Sequence, residues 1–234
     1  MMPTDESTAK SLKSAIHPTQ RNWPWLLIQF TLRLIFSVWL RYRARGIERV
    51  SRTDGGLFLV NHQSFLDPML VGLPLQRPVS YLARDSLFRI PVIGQILRNV
   101  YVIPIRREAA STTSIRQAVG RMHDGFLVGI FPEGTRCHDG YVGEFKPGFV
   151  SLVRRIRLPV YPVGIAGAHE AMPRRGLLRL RPRKVHVVFG EPLCPQRLQD
   201  LSRKGQEETL VKFARDAVLD CQAEAEHWRQ NTAT

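Results

Sequence analysis

The sequence predicts an α/β protein, a sheet flanked by helices, with a membrane-associated helix ahead of it. Three observations carry that expectation. From Gly46 onward, apolar runs of four to six residues alternate with segments of helical period. Before them, residues 23–42 form an apolar stretch that Gln29, Arg33, Ser37 and Arg41 interrupt at intervals of four. Hydrophobic residues make up 44% of 234, enough for the core of one such domain.

Taken in order, residues 1–22 are polar and mixed and read as a flexible lead-in. Residues 23–45 read as the membrane-associated unit. The spacing of four gathers the polar groups into one narrow stripe of a helix. An arginine at the middle of a spanning helix costs about 2.5–3.5 kcal/mol on insertion scales, whereas a helix lying in the interface avoids that cost. Trp23, Trp25, Trp39 and Tyr42 suit the interface as anchors. The basic cluster Arg41, Arg43, Arg45, Arg49 and Arg52 suits an anionic leaflet. The plainer reading is an amphipathic helix packed on the domain; membrane association is preferred.

Residues 46–195 read as the main domain, with strands expected at 57–60, 79–82, 100–105, 126–131, 160–165 and 185–189. Between the third and fourth, Ser111 can cap a helix whose apolar face is Ile115, Ala118, Val119 and Met122, with Gly125 at its stop. A second helix is expected over 147–157. Pro159 and Pro162 mark the strand at 160–165 as an edge or irregular one. Residues 196–234 read as a helical tail, interrupted near Gly205.

The formal net charge is +14, which calls for an anionic partner. Nucleic acid fits poorly, because the basic run from Arg174 to Lys184 has no aromatic residues interleaved with it. Cys137, Cys194 and Cys221 are odd in number and far apart, which argues against a zinc site or disulfide framework and for a reduced setting. The first apolar run begins only at Trp23, so no signal-peptide pattern opens the chain.

Chemistry gathers at three places. In LFLVNHQSFLD, an apolar run ends at Asn61-His62 and Asp67 follows five residues after the histidine. Asp67 precedes Pro68 and can cap a helix that the proline opens, so His62 and Asp67 meet across a turn. A histidine oriented by a carboxylate is the minimal general base for activating a hydroxyl. The plainer reading is a structural histidine beside a helix cap. In FLVGIFPEGTR, Gly134 permits an unusual backbone angle, Thr135 offers a hydroxyl, Arg136 a fork for phosphate, and Glu133 an acceptor for a substrate hydroxyl or an arginine. Lys146 adds a cation ten residues beyond Arg136. In VYVIPIRR, a strand delivers Arg106 and Arg107. Taken alone, the E-G-T-R stretch is a plain turn with a surface arginine, and VYVIPIRR a solvated strand terminus.

In combination they are specific. NHQSFLD, VIPIR, FPEGTR and LPVYPV, in that order, resemble the glycerophospholipid acyltransferase family, of the 1-acylglycerol-3-phosphate (lysophosphatidate) acyltransferase type; a late FGEPL extends the likeness. The resemblance covers residues 47–192. It implies a mixed sheet flanked by helices, with His62 as catalytic base and Asp67 as its orienting carboxylate. It also implies that Glu133, Gly134, Thr135 and Arg136 hold the glycerol-phosphate end of the acceptor, that Arg106 contacts the phosphate, and that Lys146 supports it. The second box departs from the family pattern, with Val100 and Ile105 where glycine and a polar residue usually stand.

The reaction so implied is transfer of a fatty acyl group from an acyl thioester, acyl-CoA or acyl carrier protein, to the free hydroxyl of a lysophospholipid. It needs no resident cofactor and no metal. The expected location is the cytoplasmic face of a membrane. Ser64 lacks a G-x-S-x-G setting, so no covalent serine step is expected. Competing readings keep the chemistry with another lysolipid acceptor, replace the acceptor by water, or make the chain a basic nucleic-acid-binding module.

Overall fold

The computed structural model describes residues 23–99, 101–105, 112–173 and 180–232. Arg106, Ser111, Arg174, Arg175 and Arg179 lie outside these, as do the side chains of Trp23 and Trp25. Seven strands form one sheet: β1 (Arg43–Arg45), β2 (Gly56–Val60), β3 (Val79–Arg84), β4 (Ile103–Ile105), β5 (Leu127–Ile130), β6 (Val160–Ala166) and β7 (His186–Phe189). Their order is β1-β7-β6-β2-β5-β3-β4. Five neighbouring pairs are parallel and β6–β7 is antiparallel, so the sheet is mixed. The carboxyl ends of β2 to β6 therefore share one edge with the starts of β1 and β7.

The helices are α1 (Trp23–Trp39), α2 (Asp67–Gly72), α3 (Pro91–Asn99), α4 (Thr112–His123), α5 (Val150–Val153), α6 (Ala168–Ala171), α7 (Pro195–Leu201) and α8 (Glu207–Asn231). Strand β2 is buried along its whole length, as a central parallel strand must be. Its side chains alternate between two cores. Phe58 and Val60 join Phe36 and Leu40 near α1 and Leu70 and Val71 of α2. Leu57 and Leu59 join Met122 of α4, Leu152 of α5, and Leu210, Ala214 and Val218 of α8. Helix α8 approaches β6 so closely at Gly164 that a Cβ there would lie 2.2 Å from the Cys221 backbone. The C-terminal residues thus complete the core on that face.

Several expectations change. Strand β1 has no apolar signature, because its sequence is Arg-Ala-Arg; pairing with β7 makes it a strand. This alters the basic cluster. Arg45 pairs with Glu224 at 2.5 Å and lies over the Trp228 ring, and Arg49 bonds the Phe189 carbonyl and Glu191. These two arginines serve the fold instead of facing a leaflet. The helix expected over 147–157 is a 3-10 turn, Pro147–Phe149, followed by the single turn of α5, after which the chain bends so that Ile156 enters the core. Strand β6 is central despite its prolines. The Pro162 carbonyl accepts from Gly190 N–H, so its nitrogen faces the same side, where β7 has already ended.

Helix α1 packs its Leu32 and Phe36 side on the domain, while Arg33, Ser37 and Arg41 of the polar stripe are exposed. Gln29 Nε2 donates to the carbonyls of Leu73 and Leu75, each at 2.9 Å, and Arg33 reaches Leu73 O at 3.4 Å. Phe36 is buried, and Trp39 Nε1 donates to Leu180 O. The neighbouring face is bare: Phe30 is 70% exposed, Leu34 61% and Val38 70%. No helix among the described residues is long and apolar enough to cross a membrane.

Candidate active site

The turns after β2 and β5 lie side by side, because these two strands are paired in parallel. The β2 turn carries His62 and leads into α2. His62 Nδ1 lies 2.8 Å from Asp67 Oδ2, and the same oxygen accepts the N–H groups of Gln63 and Ser64, each at 2.7 Å. Asp67 is therefore not the helix cap expected. It is the first residue of α2, Leu66 is the cap, and the carboxylate folds back over its own turn. Burial pushes the Asp67 carboxyl above the ordinary carboxylate range, and the bonds from His62, Ser64 and Gln63 oppose that push.

This geometry sets the tautomer. A carboxylate opposite Nδ1 favours a proton there, which leaves Nε2 as the basic nitrogen. Among the described residues the hydrogen bond of the His62 ring is made at Nδ1, and the side chain is 20% exposed. The Phe131 ring stacks on the imidazole at 4.2 Å between centroids, and Tyr81 stacks behind Phe131 at 5.8 Å. The imidazole is thus held on one face by an aromatic ring and at one nitrogen by a carboxylate.

Glu133 occupies a different place from the acceptor-binding one expected. Its carboxyl group is buried, and its two oxygens accept the N–H groups of His62 at 2.8 Å and Gly143 at 3.3 Å. Burial pushes this carboxyl up as well, opposed by those two N–H bonds. Glu133 ties the second turn to the backbone of the first, and Cys137 N–H donating to the His62 carbonyl at 2.7 Å makes a second tie.

Gly134 adopts φ +70°, and the Lys146 side chain lies where a Cβ would stand, with Cδ and Nζ both 3.2 Å from that point. The backbone angle favours glycine, and its missing side chain leaves room for the cation's close approach. Thr135 is exposed in the same turn. The Arg136 guanidinium lies 3.5 Å over the ring of Phe65, a residue of the His62–Asp67 turn. His62, Asp67, Glu133, Gly134, Thr135, Arg136 and Lys146 are thus gathered at one edge. Arg106, outside the described residues, is not among them.

Sequence reasoning missed the residues that hold this edge. The Asn61 side chain pairs both ways with Ile165, accepting its N–H at 2.7 Å and donating to its carbonyl at 3.0 Å. Gln63 donates to Gly140 O and accepts from the N–H groups of Ala168 and His169. Phe131 stood in the apolar run with nothing in its spacing to set it apart. The Ser64 hydroxyl, fully buried, donates to Met172 O, a structural bond rather than a nucleophile's setting.

Comparison with known proteins agrees with this architecture. The chain is 30% identical over 152 residues to the 1-acyl-sn-glycerol-3-phosphate acyltransferase BAT2, chloroplastic, of Brassica napus, covering 64% of this chain and 44% of that protein. It is 27% identical over 165 residues to the 1-acyl-sn-glycerol-3-phosphate acyltransferase of Bacillus subtilis, covering 69% and 78%. It spans about half the length of the plant relatives it matches. The crystal structure of the 1-acyl-sn-glycerophosphate acyltransferase PlsC from Thermotoga maritima shares the fold, with a TM-score of 0.70 at 24% identity over 90% of this chain and 81% of that one. Residues 41–166, which hold both turns of the site, match the Acyltransferase family, and the chain belongs to that family.

Proposed function

We propose that this protein is a 1-acylglycerol-3-phosphate O-acyltransferase, moving a fatty acyl group from an acyl thioester to the free hydroxyl of the acceptor to give phosphatidic acid. The observation that carries the reading is the 2.8 Å contact of His62 Nδ1 with the buried Asp67 carboxylate, set beside Arg136 and Lys146 at one edge of the sheet. The names of the relatives support the acceptor.

In this mechanism His62 Nε2 takes the acceptor's hydroxyl proton as its oxygen attacks the thioester carbonyl. Asp67 holds the imidazole in orientation and stabilises the imidazolium that forms. Collapse of the tetrahedral intermediate breaks the carbon–sulfur bond, and the imidazolium proton neutralises the departing thiolate. Both substrates meet in one complex, so no covalent enzyme intermediate forms. Arg136, Lys146, Thr135 and the Gly134 backbone receive the acceptor's phosphate, with Arg106 as a further contact. Glu133 acts through the backbone it braces.

Helix α1 seats the protein on the membrane that supplies its acceptor. The bonds from Gln29 to the domain and the bare face of Phe30, Leu34 and Val38 support interfacial seating, and the cytoplasmic side is proposed with it. The donor is acyl-CoA or acyl carrier protein. The test offers purified protein mixed lysolipid acceptors with either donor and identifies products by mass spectrometry. Phosphatidic acid from lysophosphatidate is expected; robust transfer to another acceptor with none to lysophosphatidate would overturn the assignment.

A further inference from the structure

A second cationic site lies on the same edge of the sheet, away from His62. The β1 and β7 strands start there, with Arg43 opposite His186 in their register. At two to three strand spacings from β2, the site stands roughly 10–14 Å to the side. A cavity of about 250 Å³ is lined by Ser37, Arg41, Tyr42, Arg43, Lys184, His186 and Thr232.

Three observations make this cavity more than a surface dent. His186 is completely buried, yet neither ring nitrogen has a hydrogen-bond partner among the described residues. Buried polar groups are nearly always paired, so an imidazole with both nitrogens unbonded beside a cavity is a group able to bond a ligand there. Among the described residues the surrounding cations have no acidic partner. Arg41, Arg43 and Lys184 form no ion pair among the described residues, although Lys184 Nζ donates to Thr232 O at 2.7 Å, while the carboxylates nearby are engaged: Glu224 with Arg45, Glu226 with Arg229, and Glu170 with Arg183 and Arg229. Burial, then Arg43, Arg229, Lys184 and Arg45, push the imidazole down to about 4, so it stands neutral with one N–H to donate. Finally, Arg41 adopts φ +43°, a left-handed conformation costly for arginine, at the bend from α1 into β1.

The position of the cavity names the ligand. Ser37 and Arg41 stand at the end of α1, and the bare apolar face Phe30, Leu34, Val38 leads at helical spacing toward Arg41. A molecule seated here meets cations at one end and exposed apolar surface at the other. We infer that this cavity binds the phosphate of an anionic phospholipid headgroup, with the acyl chains lying along the outer face of α1. The site is distinct from the acceptor's, and the inference rests on the reading that α1 lies on a membrane.

The test titrates the full chain with monomeric dihexanoyl-phosphatidylglycerol, dihexanoyl-phosphatidylcholine and inorganic phosphate, read by calorimetry. Saturable one-to-one binding of the anionic lipid is expected, at least tenfold tighter than either of the others. Arg41→Gln with Arg43→Gln weakens it at least tenfold. Lys204→Gln with Lys212→Gln, which removes the same charge elsewhere, changes it less than twofold. Equal affinity for the two lipids, or an equal loss in both double variants, overturns the headgroup site. Inorganic phosphate binding as tightly as the anionic lipid overturns the lipid as its source. Vesicle flotation separates the two readings. Wild-type protein that binds no vesicles overturns the seating of α1 and this inference with it, whereas vesicle binding without the short-chain preference overturns the pocket alone.

Discussion

The two edges of the sheet each bury a charged group, and they use it in opposite ways. At the carboxyl edge, Asp67 collects the N–H groups of Gln63 and Ser64 and the imidazole of His62. At the other edge, Arg77 is 5% exposed and donates to the carbonyls of Ser51, Thr53, Asp54 and Gly125, all within 2.9 Å. Both groups are anchored by backbone. The difference is what remains open. Arg77 ends in a closed set of bonds between loops. Asp67 ends in an imidazole whose second nitrogen is the basic one. A buried charge by itself does not mark function; a basic atom attached to it does.

That contrast can be broken most sharply at His62. His62→Ala should lower acyl transfer by roughly 10³-fold or more, the loss of a general base together with its oriented partner, with an unchanged melting curve. Thiol release from the acyl donor measures the first and calorimetry the second. Asp67→Asn should cost roughly 10³–10⁴-fold, because the amide stabilises the wrong tautomer. Here stability carries a further signature. A carboxyl whose folded pKa is raised binds more protons when folded than unfolded, so its contribution falls as pH rises from the ordinary carboxylate value through the raised one. Asp67→Asn removes that slope, and the variant should melt no lower than wild type at pH 7. A clearly lower melting temperature would show that the buried carboxylate serves the fold, as Arg77 does.

The opposite edge predicts the inverse pattern. Arg77→Met leaves four carbonyls without a donor and should destabilise the chain by about 3 kcal/mol or more, with kcat per folded molecule unchanged. Arg136→Ala should raise KM for a phosphate-bearing acceptor by roughly 10- to 100-fold, the worth of a charge-assisted bond, and leave acceptors without phosphate unaffected. The smallest effect is expected at Glu133. Glu133→Gln places an amide group against backbone N–H and should lower kcat about tenfold or less with little change in acceptor KM. A rise in KM instead would return Glu133 to the acceptor-binding role that its neighbours in the motif suggest.

Residue pattern alone reached the central strands. Leu57 to Val60 and, but for His186, the 185–189 run are apolar over a strand's length, and burial on both faces favours that composition. The helix face of Ala118 and Met122 was equally legible, because its period is local. Strand β1 was not, since nothing in Arg-Ala-Arg signals a strand until β7 lies beside it. The site divides along the same line. His62 and Asp67 are five residues apart on one turn, so their meeting can be read from the chain. The Phe131 ring and the Glu133 carboxylate approach His62 from about seventy residues away, across the β2–β5 pairing.

The order of motifs and the local spacing by themselves determined the sheet-and-helix class and the histidine–carboxylate pair, because both depend on neighbours in sequence. Only the tertiary structure decided that Glu133 faces inward, that α1 bonds Gln29 to the protein and leaves Phe30, Leu34 and Val38 bare, and that an imidazole with no hydrogen-bond partner among the described residues sits beside Arg41, Arg43 and Lys184 at β1 and β7. Each of these is a choice of partner between residues far apart in the chain. Such choices follow from which backbone groups need a bond once the sheet has formed.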